Sequence, residues 1–166
     1  MNYQDYKFPP YIPKCFKQNI NTRDCSQILM AGKYYVDTAI WRDIHENRKD
    51  KNKQLGELAF ESFKKIRTNK EKIIYSDFVV EELSHAYDKQ TINKLFKGVS
   101  EALEKVEINE VQLKEAADLS KKLNIPFGDA IHGVLARDNS AVMVTRDRHF
   151  RKLKDKITIK KPEELI

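Results

Sequence analysis

Four acidic side chains, Asp37, Glu82, Asp129 and Asp147, stand in this sequence where the ends of strands and helices are expected. Carboxylates gathered in a cleft of low dielectric repel one another strongly. A hard divalent cation relieves that repulsion, since Mg2+ takes oxygen ligands and keeps several of its waters. A cation held this way lowers the pKa of a bound water and stabilises the charge that develops during phosphoryl chemistry. In such a site Asp37 and Asp147 are expected to bind the metal directly, while Glu82 and Asp129 complete or orient the shell. Thr38 and Thr145 would donate hydrogen bonds to those ligands. Asp147 stands between Arg146 and Arg148, with Lys152 soon after, and these cations suit the phosphates of a nucleic-acid strand.

Each acid also has a plainer use. Asp37 can cap the helix that follows it, because Asp and Thr are both good caps. Asp129 can serve only as a dipole partner at a helix N-terminus. Asp147 can join a surface ion pair, and Glu82 can reach water at the margin of its helix. His132 is either a packed or capping histidine, or a general acid or phosphate contact.

The elements that must position these groups follow from apolar spacing. In KYYVD at 33–37, Tyr34, Tyr35 and Val36 are good strand formers, and a helix begins directly after Asp37. The stretch ENRKDKNK at 46–53 reads as a charged loop, facing water or a nucleic-acid backbone. Leu55, Leu58, Ala59, Phe63 and Ile66 form one stripe of an amphipathic helix. Lys72–Ser76 reads as a short strand, followed by a helix over 77–87. In that helix Phe78, Val79, Leu83 and Ala86 define the apolar face; Glu82 lies within it and Glu81 opposite. A Glu on a buried face is costly unless paired or metal-bound, which makes Glu82 the functional candidate.

A second amphipathic helix is expected over 91–103 and a brief strand over 106–108. Asn109 and Gln112 form a capping-box pattern that opens a helix to Leu123, which Asn124 and Pro126 end. The next helix carries Asp129 at its start, with Ile131, Val134 and Leu135 toward the core. Asp129, Gly133 and Ala136 share another face, where small residues would leave room beside the acid. Ala141–Thr145 reads as a central strand and 157–159 as a last one. Strands alternating with helices predict a three-layer α/β/α domain with a mainly parallel central sheet. Its carboxyl edge, where such proteins keep their ligands, is where the four acids would meet.

Composition bounds the rest. A chain of 166 residues with 40% hydrophobic content fills the core of one domain, which excludes global disorder. No apolar run approaches the roughly 18–20 residues needed to cross a bilayer. No secretory h-region is visible, so a cytoplasmic location and no membrane partner are expected. The net charge of +6 favours polyanionic partners. Residues 1–33 contain Pro9, Pro10 and Pro13, sustain no apolar period, and read as an irregular N-terminal arm before a domain at 34–166. Cys15 and Cys25 lack zinc-site spacing and read as free thiols.

Taken together, VDT at 36–38, the S-x-x-x-x-x-E-L pattern from Ser76 to Leu83, DAIHGVLA at 129–136 and VTRDRHF at 144–150 resemble the PIN domain family. Within it they resemble the VapC-type toxin ribonucleases and their relatives. The family's four acidic positions fall on Asp37, Glu82, Asp129 and Asp147, and its frequent hydroxyls on Thr38 and Thr145. The resemblance implies an endoribonuclease that uses Mg2+ or Mn2+, with RNA as substrate, a homodimeric state and an antitoxin protein as partner. The arm at 1–33 is a departure from typical compact toxins. The alternatives are a PIN nuclease acting in RNA processing or on DNA, and an inactive PIN-fold module that binds nucleic acid. A receiver-like phosphoacceptor centred on Asp37 would want an acidic pair near the first strand and a Lys after a late one, and neither is convincing here.

Overall fold

The computed structural model describes residues 32–166. The expected arm, with its prolines and both cysteines, lies outside the described residues apart from its last two positions. The described chain opens with β1 (Lys33–Val36), α1 (Thr38–Glu46), a ribbon of β2 (Lys49–Asp50) and β3 (Lys53–Gln54), and α2 (Leu55–Thr68). It continues with β4 (Lys72–Ser76), α3 (Asp77–Ser84), α4 (Lys89–Lys97), β5 (Leu103–Val106), α5 (Glu110–Leu123) and α6 (Phe127–Asp138). The last part holds β6 (Val142–Val144), a 3-10 helix over Arg148–Leu153, β7 (Ile159–Lys160) and a 3-10 turn over Pro162–Glu164.

Five strands form one sheet in the order β5-β4-β1-β6-β7, and every pairing in it is parallel. Helices cover such a sheet, which explains the near-continuous apolar runs in β1, β4 and β6. From β1 the chain steps to β4 and β5 on one side, then returns to β6 and β7 on the other. The point where strand order reverses therefore lies between β1 and β6. Open α/β sheets bind ligands outside the carboxyl ends of strands at such a point. Pairing of Val36 with Val144 sets the two strand ends level. Asp37, the next residue after β1, donates its N–H to Val144 O at 3.1 Å.

Packing anchors the helices around this edge. Trp41 of α1 meets Phe63 edge-on and Phe96 at a tilt, each with ring centroids 4.8 Å apart. Residues Ala130–Ala136 of α6 are all buried, beyond the single core face expected of it. Gly133 shows why. A Cβ there would stand 2.5 Å from Leu153 Cδ1, so the missing side chain admits Leu153 of the 3-10 helix. The expected room beside Asp129 is thus filled by the core.

Several boundaries differ from the expectation. The helix after β4 ends at Ser84 instead of running to Tyr87. The following helix begins at Lys89, capped by Asp88, whose side chain accepts from Thr91 N at 2.7 Å, and it ends at Lys97. Leu103, spaced to continue that helix, belongs instead to β5, which pairs with Ile73–Ser76. The charged loop at 46–53 folds into the small antiparallel ribbon. The last strand lies two residues later than its apolar residues suggest. The capping box of α5 is present with both bonds, at 2.9 and 3.1 Å, and Asn124 ends the helix at φ 50°. Among the described residues no helix is long and apolar enough to cross a membrane.

Candidate active site

Two hydrogen-bonded chains leave the carboxyl end of β1 from consecutive residues, Asp37 and Thr38. The first runs toward β6. Thr145 Oγ1 donates to Asp37 Oδ2 at 2.6 Å and accepts from the Asp147 N–H at 3.0 Å. Asp147 in turn caps the 3-10 helix, with Oδ1 accepting from His149 N at 2.8 Å. His149 Nδ1 lies 3.0 Å from Asp129 Oδ2 and 3.2 Å from Asp147 Oδ1.

The second chain runs toward α3 and α6. Glu82 Oε2 accepts a hydrogen bond from Thr38 Oγ1 and lies 2.9 Å from His132 Nε2. The other ring nitrogen of His132 is 3.0 Å from the Tyr35 hydroxyl, which is 2.8 Å from Ser76 Oγ. A Cβ on Gly128 would sit 3.0 Å from Glu82 Oε1, so the first turn of α6 lies close against this carboxylate.

Exposure is graded across the four acids. Asp37 is 8% exposed, while the side chains of Asp129, Glu82 and Asp147 are 17%, 31% and 42% exposed. The cluster is closed at the β1 end and open to solvent at Asp147. Burial raises the pKa of Asp37, against the charge of His132 and the Thr145 hydrogen bond. Burial, then the charges of Asp147 and Asp37, push the Asp129 carboxyl up to about 6. Burial would also raise Glu82, but the hydrogen bond and charge of His132, with the Thr38 hydroxyl, outweigh it and hold Glu82 below the ordinary value.

These side chains fit a hard divalent cation. Among the described residues, Asp129, Asp147 and His149 each offer one ligand atom, and the three atoms lie within 4.8 Å of one another. Burial is the larger cause of the raised Asp129, and the negative charges of Asp147 and Asp37 that add to it are what a cation would relieve. Asp37 also caps α1, since its Oδ1 accepts from Ala39 N at 3.4 Å while Oδ2 takes Thr145. Capping and participation in the cluster are therefore not exclusive for Asp37, nor for Asp147.

The expected cations divide differently. The Arg146 side chain is 18% exposed; its guanidinium donates to Asp43 Oδ2 at 3.2 Å and pairs with Glu163. It ties the end of β6 to α1 and the C-terminal 3-10 turn, a structural role beside the strand contact expected of it. Lys152 Nζ donates to the carbonyls of Leu123 and Asn124, both at 2.9 Å, and so closes the C-terminus of α5. Arg148 is exposed and makes no hydrogen bond among the described residues. His132 neither caps a helix nor faces solvent; at its buried position it links Tyr35 to Glu82. Sequence reasoning did not assign His149, Tyr35 or Ser76 to the site. His149 carried one usable signal, its position two residues after Asp147 at the start of a turn.

The PIN domain family model matches residues 34–156. No curated protein matches the sequence significantly. Among solved structures, VapBC2 from Rickettsia felis, bound to a DNA fragment from their promoter, superposes with a TM-score of 0.58 at 16% identity, over 78% of this chain and 98% of that chain. A toxin-antitoxin complex from Klebsiella pneumoniae gives 0.51 at 14% identity, over 78% and 97% of the two chains. FitAcB from Neisseria gonorrhoeae gives the same values, 0.51 at 14% identity over 78% and 97%. At identities this low the likeness shows the fold alone.

Proposed function

Since the chain belongs to the PIN domain family, we propose that it is a metal-dependent endoribonuclease of VapC type that hydrolyses RNA phosphodiesters at Asp37, Glu82, Asp129 and Asp147. The observation that carries this reading is the convergence of ligand atoms from Asp129, Asp147 and His149 within 4.8 Å, beside a buried Asp37 held by Thr145.

In this reading Asp37, Asp129 and Asp147 hold Mg2+ or Mn2+, with His149 steadying the last two. When bound, the cation supplies an activated water and stabilises charge developing on the phosphoryl oxygens. Thr145 fixes the Asp37 carboxylate so that it keeps one orientation in the buried end of the cluster. Thr38 and His132 occupy Oε2 of Glu82 and keep it ionised, which leaves Oε1 to accept a hydrogen bond from the attacking water. Tyr35 holds His132 through its other ring nitrogen and so selects the orientation of the ring. Arg148, beside the exposed Asp147, meets the phosphate backbone.

The toxin-antitoxin complex among the structures of this fold supports an antitoxin protein as partner, and a homodimer belongs to the same reading. The purified chain should cut RNA with Mn2+ and not with EDTA, and Asp37→Asn should abolish cutting while keeping the fold. RNA left intact with Mn2+, or full activity in the Asn variant, would overturn the reading.

A further inference from the structure

A cavity of about 370 Å³ opens beside the acid cluster, on the β7 side. Thr145 and Asp147 form its wall toward the acids, and Arg151, Lys154, Lys160 and Lys161 line it elsewhere. All four of these cations are exposed, and none joins an ion pair among the described residues. Arg146, at the same cavity, is by contrast spent on Asp43 and Glu163. Glu164 also lines it, but its Oε2 is taken by the Lys161 N–H at 2.6 Å. Against the carboxylates of Asp147 and Glu164, these four cations leave the cavity net positive around space for a small anionic group.

The fold explains the juxtaposition. Val36 pairs with Val144, and Val144 with Lys160, so the ends of β1, β6 and β7 lie level along one edge. Thr145 N donates to Lys160 O at 3.0 Å, which fixes Lys160 directly beside the residue that holds Asp37. Neighbouring strands are about 4.8 Å apart, so one strand spacing separates the acids from the cavity. A nucleotide chain lying across Asp147 would bring its adjacent phosphate over these lysines. A single strand bends freely enough to lower one phosphate among these cations while its neighbour lies at the acids, whereas a duplex holds its phosphates at fixed positions on a stiff helix.

We propose that this cavity is a subsite for a phosphate of single-stranded nucleic acid, next to the bond cut at the acids, with Arg151, Lys154, Lys160 and Lys161 as its ligands. Its place next to the cut bond rests on the nuclease reading; the binding itself does not. These four cations add to the strand contacts expected of Arg146, Arg148 and Lys152.

The test is fluorescence anisotropy of a short labelled single-stranded RNA with the full chain in EDTA, over a range of salt concentrations. Arg151→Gln with Lys154→Gln, and separately Lys160→Gln with Lys161→Gln, should each weaken binding about tenfold. Each pair should also flatten the dependence of log affinity on log salt by up to about 0.7, the loss of one phosphate contact on a single strand. Lys105→Gln, on β5 at the opposite edge of the sheet, should change neither quantity, and melting curves check that the variants fold. Wild-type affinity and slope in both pairs overturn the proposal. So does equally tight, equally residue-dependent binding of duplex RNA, or binding of inorganic phosphate at these residues without binding of RNA. Because no metal is present, a chain that never cuts RNA but loses binding in the two pairs would refute the nuclease and keep the subsite.

Discussion

Thr145 Oγ1 donates to Asp37 Oδ2 at 2.6 Å, a bond between residues 108 positions apart that joins the carboxyl ends of β1 and β6. The same oxygen takes the Asp147 N–H, so one hydroxyl orients two of the four acids. Thr145→Val keeps the shape and removes both functions. It should cost about 1–3 kcal/mol of stability, because a buried carboxylate loses its donor. Cleavage should fall about 10- to 100-fold, the usual effect of removing a group that orients a metal ligand. Thr145→Ser should restore most of both. Urea denaturation and initial rates measure the two effects; unchanged rates in Thr145→Val would remove the residue from the site.

Asp129 makes the metal-free protein less stable as pH rises. Its folded pKa of about 6 lies above the ordinary 3.8, so the folded state keeps a proton that the unfolded state releases. Its full cost is absent below about pH 4, grows to about pH 6 and is constant above. Allowing for solvent at the open side of the cluster, the cost is about 1–2 kcal/mol. Asp129→Asn should therefore melt higher than wild type in EDTA at pH 7.5, and about equally at pH 4. With Mn2+ at pH 7.5 the wild type should gain stability and the variant should not. A variant that melts lower than wild type in EDTA at pH 7.5 would contradict this account.

Tyr35→Phe isolates the chain behind Glu82. The hydroxyl bridges His132 Nδ1 and Ser76 Oγ in a fully buried position. Its loss should cost about 1–3 kcal/mol for the polar atoms left unpaired. Freed of that contact, His132 holds Glu82 less firmly, so kcat should fall while KM stays near wild type. An effect on KM alone would show that the chain serves substrate binding instead.

Arg146→Gln should separate architecture from recognition. Asp43 is buried, and burial raises its pKa against the hydrogen bond and charge of Arg146 and the charge of Arg48. Removing Arg146 strips this carboxylate of its best partner and should cost about 3 kcal/mol or more. RNA affinity of the folded variant in EDTA should remain at the wild-type level. A selective loss of affinity with normal stability would return Arg146 to the strand-binding role read from the sequence.

The mainly parallel sheet was legible because short apolar strands alternate with amphipathic helices, whereas the order of its strands was not. Glu82 was separable from Glu81 by helical spacing alone. What escaped were effects of tertiary contact. Nothing local to Gly133 indicates that Leu153 fills its space, and nothing local to Arg146 reveals Asp43, 103 positions away. Leu103 fits a helical stripe and a strand equally well, and only pairing with β4 decides for the strand. His149 meets the Asp129 carboxylate only through the fold, 20 positions away in the chain, and nothing local to the arginines around it marks that contact.

The level strand ends have a consequence for chain length. AVMV at 141–144 is apolar at every position, so a one-residue slip of β6 would expose nothing and hydrophobicity would not oppose it. Such a slip would nevertheless swing Thr145 to the opposite face of the sheet, away from Asp37. The tight bend at Asn139–Ser140, with Ser140 at φ 51°, thus acts as a ruler for the chemistry. Lengthening it by a single residue should yield a protein that folds and is chemically silent.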